Sequence, residues 1–210
     1  GVCPNGGFDL AGFCVGAAER GRLLNPDDTA SGQVAIAIAS NGVHSNGYSL
    51  VRRLLDHAGL TPSDAAPFAP DETIADQFLA PTTIYTNAVM PLIKDNLVTS
   101  ISHITGGGLV ENPHRVFAAD LALDIDMLSW TLPPLFAWMQ HVGQIEDMEL
   151  LRTFNCGIGM IVTVDPRHSK QAMEMILAAG YDAWTLGMLT ERGENDAHIR
   201  FHHLDQWQKS

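Results

Sequence analysis

The sequence predicts an α/β fold built in α+β-like layers, and three observations carry that reading. Short apolar runs of strand length alternate with segments whose apolar residues recur at helical spacing. Glycines and prolines fall at the ends of those segments. Hydrophobic residues make up 46% of the 210 and charged residues 17%, the balance of a globular chain with ample core.

The elements follow in order. "FDLAGFCVGAAE", from Phe8 to Glu19, is apolar on both alternating sets, Phe8, Leu10 and Gly12 against Asp9, Ala11 and Phe13. It is expected to be a strand buried on both faces, which needs neighbours on each side. So few residues precede it that the chain is expected to be a fragment of a longer protein. "ERGRLLNPDDTASGQ" is polar and rich in turn formers, which sets a boundary near Ser31 to Gln33. Beyond it "VAIAIA" is a short strand, and "YSLVRRLLDHAG" a helix with Leu50, Val51, Leu54, Leu55 and Ala58 on one face, stopped by Gly59. "DETIADQFL" and "TTIYTNAVMPLIK" are predicted as helices.

The second half keeps that rhythm. "LVTSISHI" is a strand, "GGGLVENPHRVF" a glycine turn with a short helix, and "LALDIDM" a strand with clean alternation. "PPLFAWMQHVG" opens with prolines tolerated in a first turn and closes on Gly143. "EDMELLRTF" is a short helix, "CGIGMIVTV" a strand, and "PRHSKQAMEMILAAG" a helix ended by Gly180. "DAWTLGML" and "HIRFHH" are terminal strands.

Charge and cysteine usage narrow the function classes. The net charge of −12 excludes nucleic-acid binding through a general basic surface, which needs Lys and Arg against phosphates. A small anion remains compatible, because backbone N–H groups at a helix N-terminus hold phosphate without a side-chain cation. No apolar run is long enough to span a membrane, and the start has neither basic nor apolar signal regions. Cys3, Cys14 and Cys156 are odd in number and unpatterned, which suits a reducing cytoplasm, with the thiols read as small buried residues.

Two loops share a design. "ASNGVHSNGYSLVRR" and "SHITGGGLVENPHR" each run from an apolar strand, through small polar residues and glycines, into a helix. In the first, Ser45 or Asn46 is expected to cap the helix that begins near Tyr48. In the second, Gly106, Gly107 and Gly108, after Thr105, are expected to let the backbone close around an oxygen-rich anion, with a tight turn as the alternative. Neither loop has the Gly-Lys-Ser/Thr ending of a P-loop. His44 and His103 are the candidate acid–base residues, able to donate to a phosphate or shuttle a proton, or to pin a loop. Asn155 is placed either to orient an amide or ribose or to form a turn before its strand. Asp9 is read as a strand carboxylate. Trp130, Trp138 and Trp184 are read as core residues. His198, His202 and His203 cannot all converge on a metal from one strand and are read as a solvated edge.

"FDLAGFCVG", "SNGVHSNGYSLVR", "HITGGGLVENPHRV", "SWTLPPLF" and "RTFNCGIGM" together give the chain its resemblance. From Gly6 to about Glu191 it resembles the C-terminal part of the phosphoribosylformylglycinamidine cyclo-ligases, or AIR synthetases, of purine biosynthesis. The resemblance implies a C-terminal α/β sandwich domain over residues 33–210, with residues 1–32 as a remnant of the N-terminal ATP-binding domain and a linker. It implies ATP-dependent ring closure of formylglycinamidine ribonucleotide, with ADP and phosphate released, by a cytoplasmic homodimer. ATP and magnesium are implied to sit mainly in the N-terminal half, which leaves no metal ligand in this chain. A phosphate of the ribonucleotide or of ATP is implied at the glycine loop. The competing readings are another ATP-dependent enzyme of the superfamily, of selenophosphate synthetase or formylglycinamidine synthase type, and a non-catalytic module that binds a phosphorylated ligand. The tail from 192 to 210 is assigned no function.

Overall fold

A computed structural model describes residues 11–209. Its centre is a six-stranded sheet in the order β4-β6-β1-β7-β5-β8. The strands are β1 (Val34–Ala39), β4 (Val98–His103), β5 (Leu121–Asp126), β6 (Ile158–Val164), β7 (Ala183–Glu191) and β8 (Ile199–His202). All neighbours pair antiparallel except β5 and β8, which run parallel. A two-stranded hairpin, β2 (Ala65–Ala66) with β3 (Ala69–Thr73), lies apart from it.

The sheet is covered on both faces, and β1 shows how its sequence achieves this. Ala35 and Ala37 enter one core while Ile36 and Ile38 enter the other, all four fully buried. Against the alanine face pack α1 (Tyr48–Ala58), α5 (Pro134–Gly143) and α6 (Asp147–Thr153), through Val51, Leu54, Leu135, Phe136, Met139, Leu150 and Leu151. Against the isoleucine face pack α3 (Thr86–Lys94) and α7 (Ser169–Ala178), through Ala88, Leu92, Ala172 and Ile176. A strand buried on both sides reads as an uninterrupted apolar run, as β1 and the wholly buried β6 do. Two short helices, α2 (Ile74–Phe78) and α4 (Gly108–Glu111), complete the layers.

Several local expectations are corrected. Residues 11–19 form no strand and stand exposed, Phe13 at 92% and Val15 at 84%; the first ten residues, Cys3 and Asp9 among them, lie outside the described residues. "DETIADQFL" begins as strand and turns helical only at Ile74, because Thr73 and Asp76 form a reciprocal capping box there. α5 does close on Gly143, but the left-handed cap after it is Gln144, and a Cβ on Gly143 would crowd Leu54 and Ile145. Nor does β5 alternate cleanly, since Leu121, Ala122 and Leu123 are all buried between β7 and β8. Cys156 is buried as read, whereas Cys14 is exposed.

The tail beyond residue 192 is part of the fold. At the sheet edge, His202 Nε2 meets Asp124 Oδ1 at 3.0 Å, and His203 Nδ1 meets Asp126 Oδ1 at 3.0 Å. His198 stacks on His114 with ring centroids 5.3 Å apart. β8 is the edge strand of the sheet, and His202 and His203 stand exposed there as read, each beside a carboxylate, while His198 is half-buried on His114. Trp207, 5% exposed, packs on Trp130 with centroids 5.2 Å apart. No helix among the described residues is long and apolar enough to cross a membrane. Trp207→Ala is expected to lower stability by about 3–5 kcal/mol, as deletion of a buried indole does, and urea unfolding of the two proteins checks it.

Candidate functional site

The two glycine-bearing loops leave β1 and β4 at the same end of the sheet and are seated on one turn, Phe154 to Gly159. Asn155, 1% exposed, holds the first loop: its Oδ1 accepts from Ser40 Oγ at 2.9 Å and from the Gly157 N–H at 2.9 Å, and its Nδ2 donates to Gly42 O at 2.8 Å. Asn155 therefore does not reach toward a ligand, since three of its bonds are spent inside the protein. Phe154 backs both loops. A Cβ on Gly47 would strike its ring, and a Cβ on Gly108 would meet its carbonyl oxygen at 2.8 Å and that of Leu151. Where the loops abut, Asn46 Oδ1 lies 3.8 Å from the place of a Cβ on Gly106.

Neither Ser45 nor Asn46 caps α1. Gly47 is the N-cap, in the left-handed region at φ 72°, and makes no side-chain cap. Ser45 is exposed with Oγ 3.4 Å from Thr82 Oγ1, and Asn46 is half-buried. The left-handed turn is set by contact with Phe154, which leaves room for glycine alone.

The three consecutive glycines do different jobs. Gly107 has φ 103° and carries the side chain of Glu111 against it, the Cβ position lying 2.9 Å from Glu111 Cβ and 3.0 Å from its Oε2. Gly108, at φ 55°, is closed by the carbonyls of Leu151 and Phe154. Both glycines are therefore required by the protein itself. Gly106 differs: its φ is not positive, it is exposed, and only Asn46 comes near. Its N–H and that of Gly107 make no hydrogen bond to another described residue. The loop is clamped by Asn112, whose Oδ1 accepts from Thr105 N at 2.6 Å and whose Nδ2 donates to Gly106 O at 3.0 Å. Asn112 was not singled out from the sequence, although an Asn before Pro113 is a turn signal.

Beside the loops lies an aromatic triangle of His44, His103 and Tyr85, with ring centroids 6.1 to 6.4 Å apart. His103 is exposed at the end of β4, whereas His44 is 3% exposed and holds a left-handed backbone at φ 56°. His44 Nε2 lies 3.0 Å from Asn41 Oδ1, which also accepts from Thr83 Oγ1 at 2.9 Å. An amide oxygen only accepts, so His44 Nε2 carries the proton and Nδ1 is a bare acceptor. That Nδ1 is buried and has no partner among the described residues. Tyr85, which the sequence reading passed over, donates its hydroxyl to Ala39 O at 2.7 Å and lies across Gly159, where a Cβ would also sit 2.9 Å from His44 Cε1.

Electrostatics keep both imidazoles neutral. Burial, and after it the neighbouring His103, lower the His44 pKa from 6.5 to about 4; burial lowers His103 as well. Burial raises the Tyr85 hydroxyl to about 12, so it stays a donor. A cavity of about 260 Å³ is lined by Ser40, Asn41 and Gly42 of the first loop, Phe68 and the prolines that start α5.

Two measurements test this geometry. A histidine whose folded pKa is depressed contributes stability above its unfolded pKa and loses it as pH falls toward the folded value. His44→Asn, which tolerates a left-handed backbone, is expected to flatten the fall in melting temperature between pH 6.5 and 4, by a share on the order of 2–3 kcal/mol. Gly108→Ala is expected to destabilise the fold by more than about 2 kcal/mol, while Gly106→Ala shifts it by less than about 1 kcal/mol. Thermal melts of the two variants distinguish them.

Comparison with known proteins agrees with this architecture. Residues 30–200 match the family described as AIR synthase related protein, C-terminal domain. The chain is 44% identical over 201 residues to phosphoribosylformylglycinamidine cyclo-ligase of Chromobacterium violaceum, covering 95% of this chain and 58% of that protein. It therefore spans less than two thirds of that relative's length. Among solved structures it is similar to thiamine-monophosphate kinase from Stenotrophomonas maltophilia K279a, with TM-score 0.61 and 13% identity over 88% of this chain and 54% of the other. It is also similar to T. maritima PurL complexed with ATP, with TM-score 0.52 and 14% identity over 89% of this chain and 26% of the other. At such identities the structural likeness speaks for the fold alone. The match over residues 30–200 and the 44% identity together establish that the chain belongs to the family of AIR synthase related proteins, as their C-terminal domain.

Proposed function

We propose that this chain is the C-terminal half of an ATP-dependent cyclo-ligase, which closes the imidazole ring of formylglycinamidine ribonucleotide to give aminoimidazole ribonucleotide. In this reading residues 33–210 form the domain and residues 1–32 are linker and remnant of an ATP-binding half. Val34 opens the first strand of the sheet, and the residues described before it lie outside the sheet, which supports that division. The assembled enzyme is read as a cytoplasmic homodimer. The observation that carries the reading is the abutment of the two loops on Phe154, with His44 and His103 beside them.

The reaction needs the formyl amide oxygen made into a leaving group by the terminal phosphoryl group of ATP. An amidine nitrogen then bonds to the formyl carbon, the C–O bond breaks to release phosphate, and nitrogen loses a proton. Phosphoryl transfer of this kind asks the protein for positioning and charge stabilisation more than for a nucleophile. Gly106, with Thr105 beside it, leaves open the approach that a phosphate oxygen requires. Ser45, Asn46 and the free N–H groups at the start of α1 favour negative charge on the facing side. His103, exposed and neutral, is assigned the nitrogen proton. His44, buried and facing inward, is assigned a supporting place behind His103, its ring held by Asn41.

Among the described residues no group of three or more His, Cys, Asp or Glu side chains is placed to hold a metal ion. By the family resemblance, the magnesium of this reading is assigned to the ATP-binding half, where it would neutralise phosphate charge. No step on this chain runs through it.

Residues 1–210 alone are expected to show no ATP-dependent ring closure, and the chain joined to a family ATP-binding half is expected to show it. In that joined enzyme, His103→Gln is expected to lower kcat by roughly 10²–10⁴-fold with little change in melting temperature. Because the His103 pKa is depressed, the acid limb of kcat is expected below pH 6.5 and absent from the variant. Aminoimidazole ribonucleotide formation and ADP release, followed across pH, check these outcomes; an unchanged kcat in His103→Gln removes His103 from the chemistry.

A further inference from the structure

The loop after β1 repeats one triplet, Ser-Asn-Gly, as Ser40–Asn41–Gly42 and as Ser45–Asn46–Gly47. An Asn-Gly pair carries a reaction of its own. With no Cβ in the way, the glycine nitrogen can reach the side-chain carbonyl carbon of the asparagine before it and close a five-membered imide. Because the two triplets are identical, any difference in their reactivity comes from the fold. A further pair, Asn5–Gly6, lies outside the described residues.

The fold treats the two triplets in opposite ways. The Asn41 amide is locked. Its Nδ2 donates to Pro81 O at 2.9 Å, and its Oδ1 accepts from His44 Nε2 at 3.0 Å and from Thr83 Oγ1 at 2.9 Å. Swinging its Cγ over the Gly42 nitrogen breaks all of these bonds. The Asn46 backbone N–H reaches Val43 O at 3.4 Å, but its side-chain amide bonds to no described residue. The Gly47 N–H likewise has no acceptor among the described residues. It lies at the N-terminus of α1, an 11-residue helix, where the helix dipole favours the negative charge of a deprotonated nitrogen. Exposure points the other way, since Asn41 is exposed and Asn46 half-buried. Accessibility selects Asn41; freedom of the amide selects Asn46.

We infer that Asn46 is a site of spontaneous deamidation, and that Asn41 is shielded from the same reaction by its hydrogen bonds. Base takes the Gly47 amide proton, and the nitrogen bonds to Asn46 Cγ. The Cγ–Nδ2 bond breaks, and ammonia leaves with a proton from water. A second water opens the imide at either carbonyl, so that asparagine and water become aspartate or isoaspartate and ammonia. Isoaspartate inserts a carbon into the main chain directly before Gly47. That glycine has no slack, because its left-handed turn is held against the Phe154 ring. The loop therefore loses its register on Phe154 as the chain ages, and with it the approach of Asn46 to Gly106.

The test is to hold the chain at mildly alkaline pH, folded and in urea, and to follow both triplets by peptide mass mapping, with fragmentation to tell isoaspartate from aspartate. In urea the two sites are expected to react at similar rates. In the folded chain Asn46 is expected to react at least about tenfold faster than Asn41, where several hydrogen bonds must first break. Thr83→Val removes one of those bonds and is expected to speed Asn41 by roughly threefold or more, with Asn46 unchanged. Asn46→Gln is expected to abolish the change at its site, since a six-membered imide closes far more slowly. The isoaspartate-bearing fraction is expected to melt below the unaltered chain. Equal rates in the folded chain, a faster Asn41, or an Asn46 that stays intact when folded overturns the inference. An unmoved Asn41 in a Thr83→Val chain that melts cooperatively overturns the shielding, and an isoaspartate fraction with an unaltered melting curve overturns the loss of register.

Discussion

Everything near the candidate site depends on the buried amide of Asn155 and the turn that carries it. Through Ser40, Gly42 and Gly157 this one side chain fixes the loop after β1 to the start of β6. A buried amide without such partners would be costly, so the loop has few alternatives while Asn155 is in place. The residues on either side extend the same control. Phe154 meets Gly47 and Gly108, Cys156 O accepts the Trp130 indole N–H at 3.1 Å, and Gly159 gives Tyr85 and His44 their space. Six residues thereby bring together segments more than fifty positions apart in the chain.

Rigidity of this kind has a chemical consequence. His44 is held with a left-handed backbone and a buried, unpartnered Nδ1, two conditions that a free loop would relax. Desolvation keeps it neutral, and its neighbour His103, though more open, is held neutral by the same cause. Two imidazoles in one place are thus both bases at neutral pH, one facing inward and one facing solvent. Tyr85, bonded to Ala39 O and tilted against both rings, fills the remaining side.

The glycine loop illustrates how one motif divides its labour. Two of its three glycines answer to the protein's own packing, against Glu111 and against the carbonyls of α6, and only Gly106 is open to something outside. The fold shared with AIR synthase related proteins supplies the frame, and the two candidate loops leave it at one end of the sheet.

Sequence alone determined the alternation of strands and helices, because apolar periodicity and glycine stops are local properties that survive without any knowledge of neighbours. It located β1, β4, β6, α1 and α7, and both candidate loops, and the family resemblance followed from motifs spread along the chain. It did not find the β2–β3 hairpin, whose "APDET" is polar and carries no strand periodicity. It misjudged residues 11–19, where apolar composition stood in for a strand that has no partner among the described residues. The roles of Asn155, Asn112, Gly107, Gly108 and Tyr85 were decided only by tertiary structure. Each depends on an atom brought close by folding: a carbonyl for Gly108, a carboxylate side chain for Gly107, the backbone of its own loop for Asn112, and the end of β1 and the segment after it for Asn155 and Tyr85. A sequence states which residues have a left-handed or hydrogen-bonding option. Which option is taken depends on what stands opposite, and that is fixed only when the sheet and its layers have closed.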